Sequence, residues 1–212
     1  MTRIIAIDGN IGTGKSTFID QLEEKCIGRT DIFFLREPVD EWINMKDASG
    51  ESILDKYYQE PNKYAFSFQL VVFNTILSSL KQALSNTQYN IIICERSIAS
   101  SRHVFMEMLY EENKVNYFEY KIYDDLFTKD IIDKYYPTEI LYLDVSTSTC
   151  MNRINKRNRQ GEQNITQDYL NKCESKYLSW LSSIDIKHSI ITETKNGKFE
   201  IVGNMLHKKE DT

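Results

Sequence analysis

The stretch Gly9-Asn10-Ile11-Gly12-Thr13-Gly14-Lys15-Ser16 fits G-x-x-x-x-G-K-[ST], with Thr17 next in line. Glycines at this spacing let a backbone curl until successive N–H groups face one anion, and a helix starting there adds its positive end. In that setting Lys15 reaches the β- and γ-phosphates of a triphosphate, and the Ser16 hydroxyl ligates Mg²⁺. Gly9 to Thr17 therefore reads as an ATP-binding loop. Phosphoryl transfer also needs a base at the acceptor, cations for the developing charge, and exclusion of water. Glu37, in Arg36-Glu37-Pro38, is a candidate base; from position alone it reads equally as a solvated loop carboxylate. Glu95-Arg96-Ser97 offers a carboxylate to hold Mg²⁺ through water and a guanidinium fork for an acceptor oxygen or a phosphate; the plainer alternative is a surface ion pair. Arg153, Lys156, Arg157 and Arg159 form a dense basic run. Arg153 and Arg157 share a helix face and can close over a triphosphate as a lid, unless the run is only a solvated face.

These groups need elements that bring them to one place. Arg3-Ile4-Ile5-Ala6-Ile7, Ile32-Phe33-Phe34-Leu35, residues 90–94 and residues 140–145 are short apolar runs that predict buried strands, with a weaker fifth at Ser189-Ile190-Ile191. Helical patterns lie between them. Residues 17–25 carry Phe18, Ile19 and Leu22 on one face, and Asp40 is placed to cap a short helix bearing Trp42. Residues 51–58 follow, then Pro61 at a first helical position and a long helix over 62–85 with Phe66, Leu70, Phe73, Leu77 and Leu80 on its apolar face. Further helices are predicted to about Tyr110 and over 117–135, 148–158, 167–181 and 196–207. Continuous apolar strands alternating with helices predict a parallel sheet covered on both faces. Asp8, Glu37, Glu95 and Asp144 end the strands, where such sheets bind ligands. A doubly wound order sets the second strand, and with it Glu37, beside the phosphate loop.

The chain has 212 residues and a net charge of −5, which argues against a nucleic-acid surface. Nothing in it reads as a linker, so one domain over 1–212 is expected, with a lid at about 153–163. Cys26, Cys94, Cys150 and Cys173 are widely spaced and read as free thiols of a reducing compartment. The first strand candidate starts at Arg3, leaving no room for a targeting segment, and no apolar run is long enough to span a bilayer. The expectation is a cytoplasmic protein without membrane or nucleic-acid partners.

Taken in order, residues 9–17, Glu37-Pro38-Val39-Asp40-Glu41-Trp42, Phe66-Ser67-Phe68-Gln69, Glu95-Arg96-Ser97-Ile98, Tyr142-Leu143-Asp144, the arginines between Cys150 and Arg159, and Tyr169-Leu170 to Trp180 resemble the deoxynucleoside kinase family. The resemblance implies a P-loop kinase fold, in which a five-stranded parallel sheet is flanked by helices and closed by an arginine-rich lid. It implies Glu37 as general base on a nucleoside 5′-hydroxyl and Arg96 as its partner. It implies Glu95 and Ser16 around Mg²⁺, Tyr58 and Glu162 on the sugar 3′-hydroxyl, and Gln69 pairing with the base. One amide offers a donor and an acceptor to a pyrimidine edge. Phe68 and Phe105 match aromatics that sandwich the base, Ile11, Leu54 and Trp42 match other walls, and Phe199 falls near an aromatic placed against adenine. MgATP is the implied donor and a homodimer the implied state, with the 62–85 helix as a candidate interface.

Deoxycytidine-type members of the family carry an arginine seven residues after the pocket glutamine and an aspartate six residues after the Glu of Glu-Arg-Ser. Here Ile76 and Ser101 stand at those positions, which leaves room for a thymine methyl. Pyrimidine nucleosides are therefore expected to be preferred, thymidine above all, with deoxycytidine accepted and purines poor. Gln160 and Gly161 depart from the family pattern just before Glu162, and Ala99 departs after Glu95-Arg96-Ser97. Two rival readings stand beside this one. A thymidylate kinase shares Arg-Glu-Pro after its second strand, but usually follows it with glycine and uses Asp-Arg-Tyr after the third. A non-catalytic ATP-binding regulator would have no need of Glu37, Arg96 and Gln69.

Overall fold

The computed structural model describes residues 2–159, 161–193 and 199. Five parallel strands, β1 (Arg3–Asp8), β2 (Ile32–Leu35), β3 (Ile91–Glu95), β4 (Glu139–Asp144) and β5 (Lys187–Thr192), form one sheet in the order β2-β3-β1-β4-β5. The apolar runs sort by alternation. Ile4, Ala6, Ile92, Cys94, Ile140 and Tyr142 enter the core on one face, while Ile5, Ile7, Ile91, Ile93, Leu141 and Leu143 enter the core on the other. Both faces are thus dry, which is why these strands read as continuous apolar runs. β3 lies between β2 and β1, so β2 is not the phosphate loop's neighbour as a simple doubly wound order would have it.

On one face α1 (Lys15–Lys25) packs Phe18, Ile19 and Leu22 against the sheet. The other face is covered by α4 (Pro61–Ser85) and by α10 (Gln167–Ser183), which contributes Cys173 and Tyr177. Between β2 and α4 come α2 (Val39–Asn44) and α3 (Ile53–Gln59). Asp40 sits inside the first turn of α2 rather than capping it, because Pro38 occupies the cap position. Ser52 caps α3 by accepting from the Asp55 N–H. In α4, Phe73, Leu77 and Leu80 are buried as expected, but Phe66 and Leu70 are only half-buried. The buried stripe runs instead through Ala65, Phe68, Gln69, Val72 and Ile76.

After β3 the chain forms α5 (Ile98–Ser100), a π-helical segment (Ser101–Met106) and α6 (Glu107–Glu111). The pattern predicted over 117–135 is two helices, α7 (Tyr117–Asp125) and α8 (Lys129–Tyr135), the second capped by Thr128. α9 (Thr147–Arg157) follows β4. The helix expected over 196–207 lies outside the described residues, save Phe199. Among the described residues no helix is long and apolar enough to cross a membrane.

Candidate active site

The loop after β1 is shaped by what surrounds it. Gly12 has φ of 82°, and a Cβ there would stand 2.6 Å from the Cys150 carbonyl oxygen of α9, so no larger residue fits. Asn10 is buried; its Nδ2 donates to the Leu170 carbonyl at 2.8 Å, and its Oδ1 accepts from the Ile11 N–H at 2.9 Å. It ties the loop to α10. Lys15 curls onto its own loop, Nζ donating to the carbonyls of Asn10 at 2.8 Å and Gly9 at 3.2 Å. Burial, with Arg96 nearby, pushes its pKa down to about 8. The Ser16 hydroxyl donates to Glu95 Oε1 at 2.6 Å, which sets a hydroxyl and a carboxylate side by side at the loop.

Arg96 and Glu37 form a close pair, Arg96 Nε to Glu37 Oε1 at 2.6 Å, with the Arg96 guanidinium 4.6 Å from the centre of the Phe105 ring. Burial pushes the Glu37 carboxyl up, but the Arg96 guanidinium, then Lys15 and Arg159, outweigh it and hold Glu37 below the ordinary carboxylate range. A carboxylate kept ionised and kept on a guanidinium can accept a proton from an acceptor hydroxyl. Glu37 meets Arg96 because β2 and β3 are neighbours and both residues follow the carboxyl ends of those strands; the Glu37 backbone N–H also approaches Glu95 Oε2 at 3.5 Å.

A second part of the site is aromatic. Phe68 of α4 stacks on Tyr57 of α3 at 4.6 Å between ring centres and meets Trp42 edge-on at 5.4 Å. The Trp42 indole is fixed by Nε1 donating to Thr75 Oγ1 at 3.0 Å. Gln69, only 3% exposed, stands among these rings. Gln69 Oε1, Tyr123 OH and Trp180 Nε1 are the buried side-chain polar atoms without a partner among the described residues, and of those three residues only Gln69 is on the wall of the cavity. A buried carbonyl oxygen left unpaired is costly, so this one marks a place where a ligand donor belongs.

The arginines of α9 and the turn after it form the third part. Arg157 binds Glu162 twice, at 3.0 Å and 2.7 Å, and Arg159 approaches the same carboxylate at 3.4 Å. Arg153 donates to the Thr13 carbonyl at 2.9 Å and pairs with Glu193. A Cβ on Gly161 would come within 3.1 Å of Tyr58, so the residue before Glu162 packs on that tyrosine and sets Glu162 beside it.

All three parts line one cavity of about 880 Å³ at the carboxyl ends of the strands. Its wall includes the predicted Ile11, Gly12, Thr13, Gly14, Lys15, Ser16, Thr17, Glu37, Trp42, Leu54, Tyr58, Phe68, Gln69, Glu95, Arg96, Ser101, Phe105, Arg153, Arg157, Arg159, Glu162 and Phe199. Three predicted residues stand off it. Gly9 and Asn10 are the buried start of the loop. Ile76 is fully buried in the core, because seven residues of helix carry it about 10 Å beyond Gln69 along α4. Val72, one turn from Gln69, takes the wall position instead. Sequence reasoning also missed Tyr57, Tyr169 and Arg36 on the wall. Tyr57 and Tyr169 carry helix-periodic aromatic signals that core packing explains equally well.

Comparison with known proteins agrees with this geometry. The sequence model of one family, described as deoxynucleoside kinase, matches residues 5–209. Deoxycytidine kinase of Homo sapiens is 34% identical over 203 residues, covering 85% of this chain and 76% of that protein. Deoxycytidine kinase of Mus musculus is 33% identical over 211 residues, covering 89% and 79%. Deoxycytidine kinase 1 of Xenopus laevis is 30% identical over 198 residues, covering 84% and 73%.

Proposed function

We propose that this chain, which belongs to the deoxynucleoside kinase family and is a deoxynucleoside kinase, phosphorylates the 5′-hydroxyl of pyrimidine deoxyribonucleosides with ATP as donor and that thymidine and deoxycytidine are both substrates. The observation that carries the nucleoside reading is the unpaired, buried Gln69 Oε1 on the cavity wall. A glutamine amide accepts from cytosine N4–H and donates to N3, or, turned over, accepts from thymine N3–H and donates to O4. The relatives named for deoxycytidine support the cytosine half. Val72 and Ser101 on the wall support the thymine half, since neither carries a charge that would select an exocyclic amine.

The roles follow from the groups at hand. Glu37 takes the 5′-proton as that oxygen attacks phosphorus in line. Arg96 holds Glu37 and neutralises charge gathering on the transferred group. Lys15 leaves the loop carbonyls for phosphate oxygens, and Arg153, Arg157 and Arg159 close over them. Tyr58 and Glu162 hold the 3′-hydroxyl, with Phe68 and Phe105 on the faces of the base. Ser16 and Glu95 suit Mg²⁺, which takes one or two protein oxygens and keeps its waters and phosphates. Bound there, it supplies neutralisation of the phosphate charge. A homodimer remains part of the reading. α7 exposes Tyr117, Phe118 and Ile122, an apolar patch that a second copy would cover, whereas α4 buries most of its apolar residues within the chain.

The test is phosphorylation of thymidine, deoxycytidine, deoxyadenosine, deoxyguanosine and thymidine monophosphate side by side with MgATP. Turnover of both pyrimidine nucleosides supports the reading and ranks the two. Purine nucleosides with kcat/KM equal to thymidine would sink the pyrimidine preference, and turnover of the monophosphate alone would void the roles given to Glu37 and Gln69.

A further inference from the structure

Arg96 needs more than Glu37 to hold it in place. Its backbone is left-handed, with φ of 67°, and its N–H donates to the Ile7 carbonyl at 3.0 Å. Nε is on Glu37, and Nη1 donates to the Tyr177 hydroxyl at 2.7 Å. That hydroxyl donates in turn to Asp8 Oδ1 at 3.2 Å, and Asp8 Oδ2 accepts from Ser97 Oγ at 3.0 Å. Tyr177 and Asp8 are wholly buried, and neither lines the cavity. A guanidinium only donates, so the tyrosine oxygen accepts from Arg96 and its proton is directed to Asp8, with Ser100 beside both groups. The Tyr177 ring also packs edge-on against Phe105, the ring that faces the Arg96 guanidinium.

We propose that Tyr177 is a positioning residue for phosphoryl transfer: its hydroxyl, oriented by Asp8, clamps one arm of the Arg96 guanidinium so that Nε stays on Glu37 and the remaining N–H groups stay turned to the reacting oxygens. This rests on the roles proposed above for Glu37 and Arg96. Without the clamp the guanidinium keeps one hydrogen-bond partner, Glu37, and can pivot against the Phe105 ring. A misplacement of about 1 Å costs on the order of a hundredfold in rate, so a partial loss of about tenfold or more is expected.

The experiment is a double-mutant cycle on kcat with the best nucleoside, using Tyr177→Phe, Arg96→Lys and the pair. Tyr177→Phe keeps the ring and removes only the hydroxyl. It should lower kcat about tenfold or more, with KM for nucleoside and ATP within about twofold. In the Arg96→Lys background, where a lysine cannot bridge both partners, Tyr177→Phe should cost nothing further. An equal loss in both backgrounds means that the tyrosine is merely structural and overturns the proposal, as does an unchanged kcat in the single variant. If Arg96→Lys alone keeps full rate, the role given to Arg96 has failed instead. Should Tyr177→Phe not fold, Asp8→Asn carries the test. It replaces an accepting oxygen with a donor, so the same loss of kcat and the same silence beside Arg96→Lys are expected; its absence overturns the proposal.

Discussion

Replacing Gln69 by Met should damage catalysis while stabilising the empty protein. Gln69 Oε1 is buried and unpaired, so the folded chain carries the cost of a stripped carbonyl oxygen, about 1–3 kcal/mol. Met has nearly the same length and no strong hydrogen-bonding group, and volume-conserving changes in a core are well tolerated. Removal of the amide therefore relieves that cost, and the melting temperature of the nucleoside-free variant should rise by about 2–4 °C per kcal/mol relieved. The nucleoside complex changes in the opposite sense. It loses two hydrogen bonds to the base, each worth about 0.5–1.5 kcal/mol, or about 1–3 kcal/mol together. At 1.4 kcal/mol per tenfold, kcat/KM for thymidine and deoxycytidine should fall about 5- to 150-fold. The assays are thermal unfolding without nucleoside and steady-state kinetics with both pyrimidines. A variant that melts lower while losing activity would show that Gln69 is an ordinary structural amide. A variant with unchanged kcat/KM would show that the base lies elsewhere.

Glu37→Ala should lower kcat about 10²- to 10⁴-fold, the usual worth of a general base, with ATP affinity retained; a full-rate variant refutes the role. Chelation of Mg²⁺ should abolish transfer reversibly, and Ser16→Ala should raise the Mg²⁺ concentration needed for half-maximal rate; an unmoved Mg²⁺ dependence removes Ser16 from the metal's surroundings. His103 stacks on Trp180 at 5.6 Å, and burial, with Arg102 beside it, pushes its pKa down to about 4. The unfolded chain takes the proton near pH 6.5 and the folded chain only near 4, so stability complete above about pH 6.5 is lost as pH falls toward 4. His103→Phe, which keeps a ring on Trp180, should flatten the melting temperature over that window, and an unflattened profile refutes the assignment.

The parts of this molecule that were legible in the sequence are those where one physical cause acts alone. Strands buried on both faces show as apolar runs, and a loop that must wrap phosphate shows as fixed glycines; Gly12, pressed against the Cys150 carbonyl, has no alternative residue. Helix faces were harder, because α4 answers to two demands at once. It packs Phe73, Leu77 and Leu80 into the core and turns Phe68, Gln69 and Val72 to the cavity, so a single apolar stripe chosen by periodicity put Phe66 and Leu70 in place of part of it. The break between α7 and α8 carries no proline or glycine; Phe127 turns into the core and Thr128 caps the next helix, signals that a helical pattern conceals.

What escaped altogether is the geometry that makes neighbouring functional residues act as one. Arg96 is left-handed at φ of 67°, a conformation costing a non-glycine residue about 1–3 kcal/mol, and nothing in the letters Glu-Arg-Ser announces it. The strain reorients consecutive side chains at the end of β3, so that Glu95 meets Ser16, Arg96 meets Glu37 and Ser97 meets Asp8. An extended strand alternates its side chains and sends neighbours to opposite faces of the sheet. Here the departure from alternation lets one tripeptide contact the glycine-rich loop, Glu37 and the buried Asp8 together. The π-helical turn that follows has the same character. Ser101 and Phe105 both reach the cavity wall from it, while Val104 and Met106 fill the core. Local irregularities of this kind cluster at functional sites, and they persist because the surrounding packing over-determines them. In this chain that packing includes Tyr177, wholly buried, whose hydroxyl accepts from Arg96 and donates to Asp8.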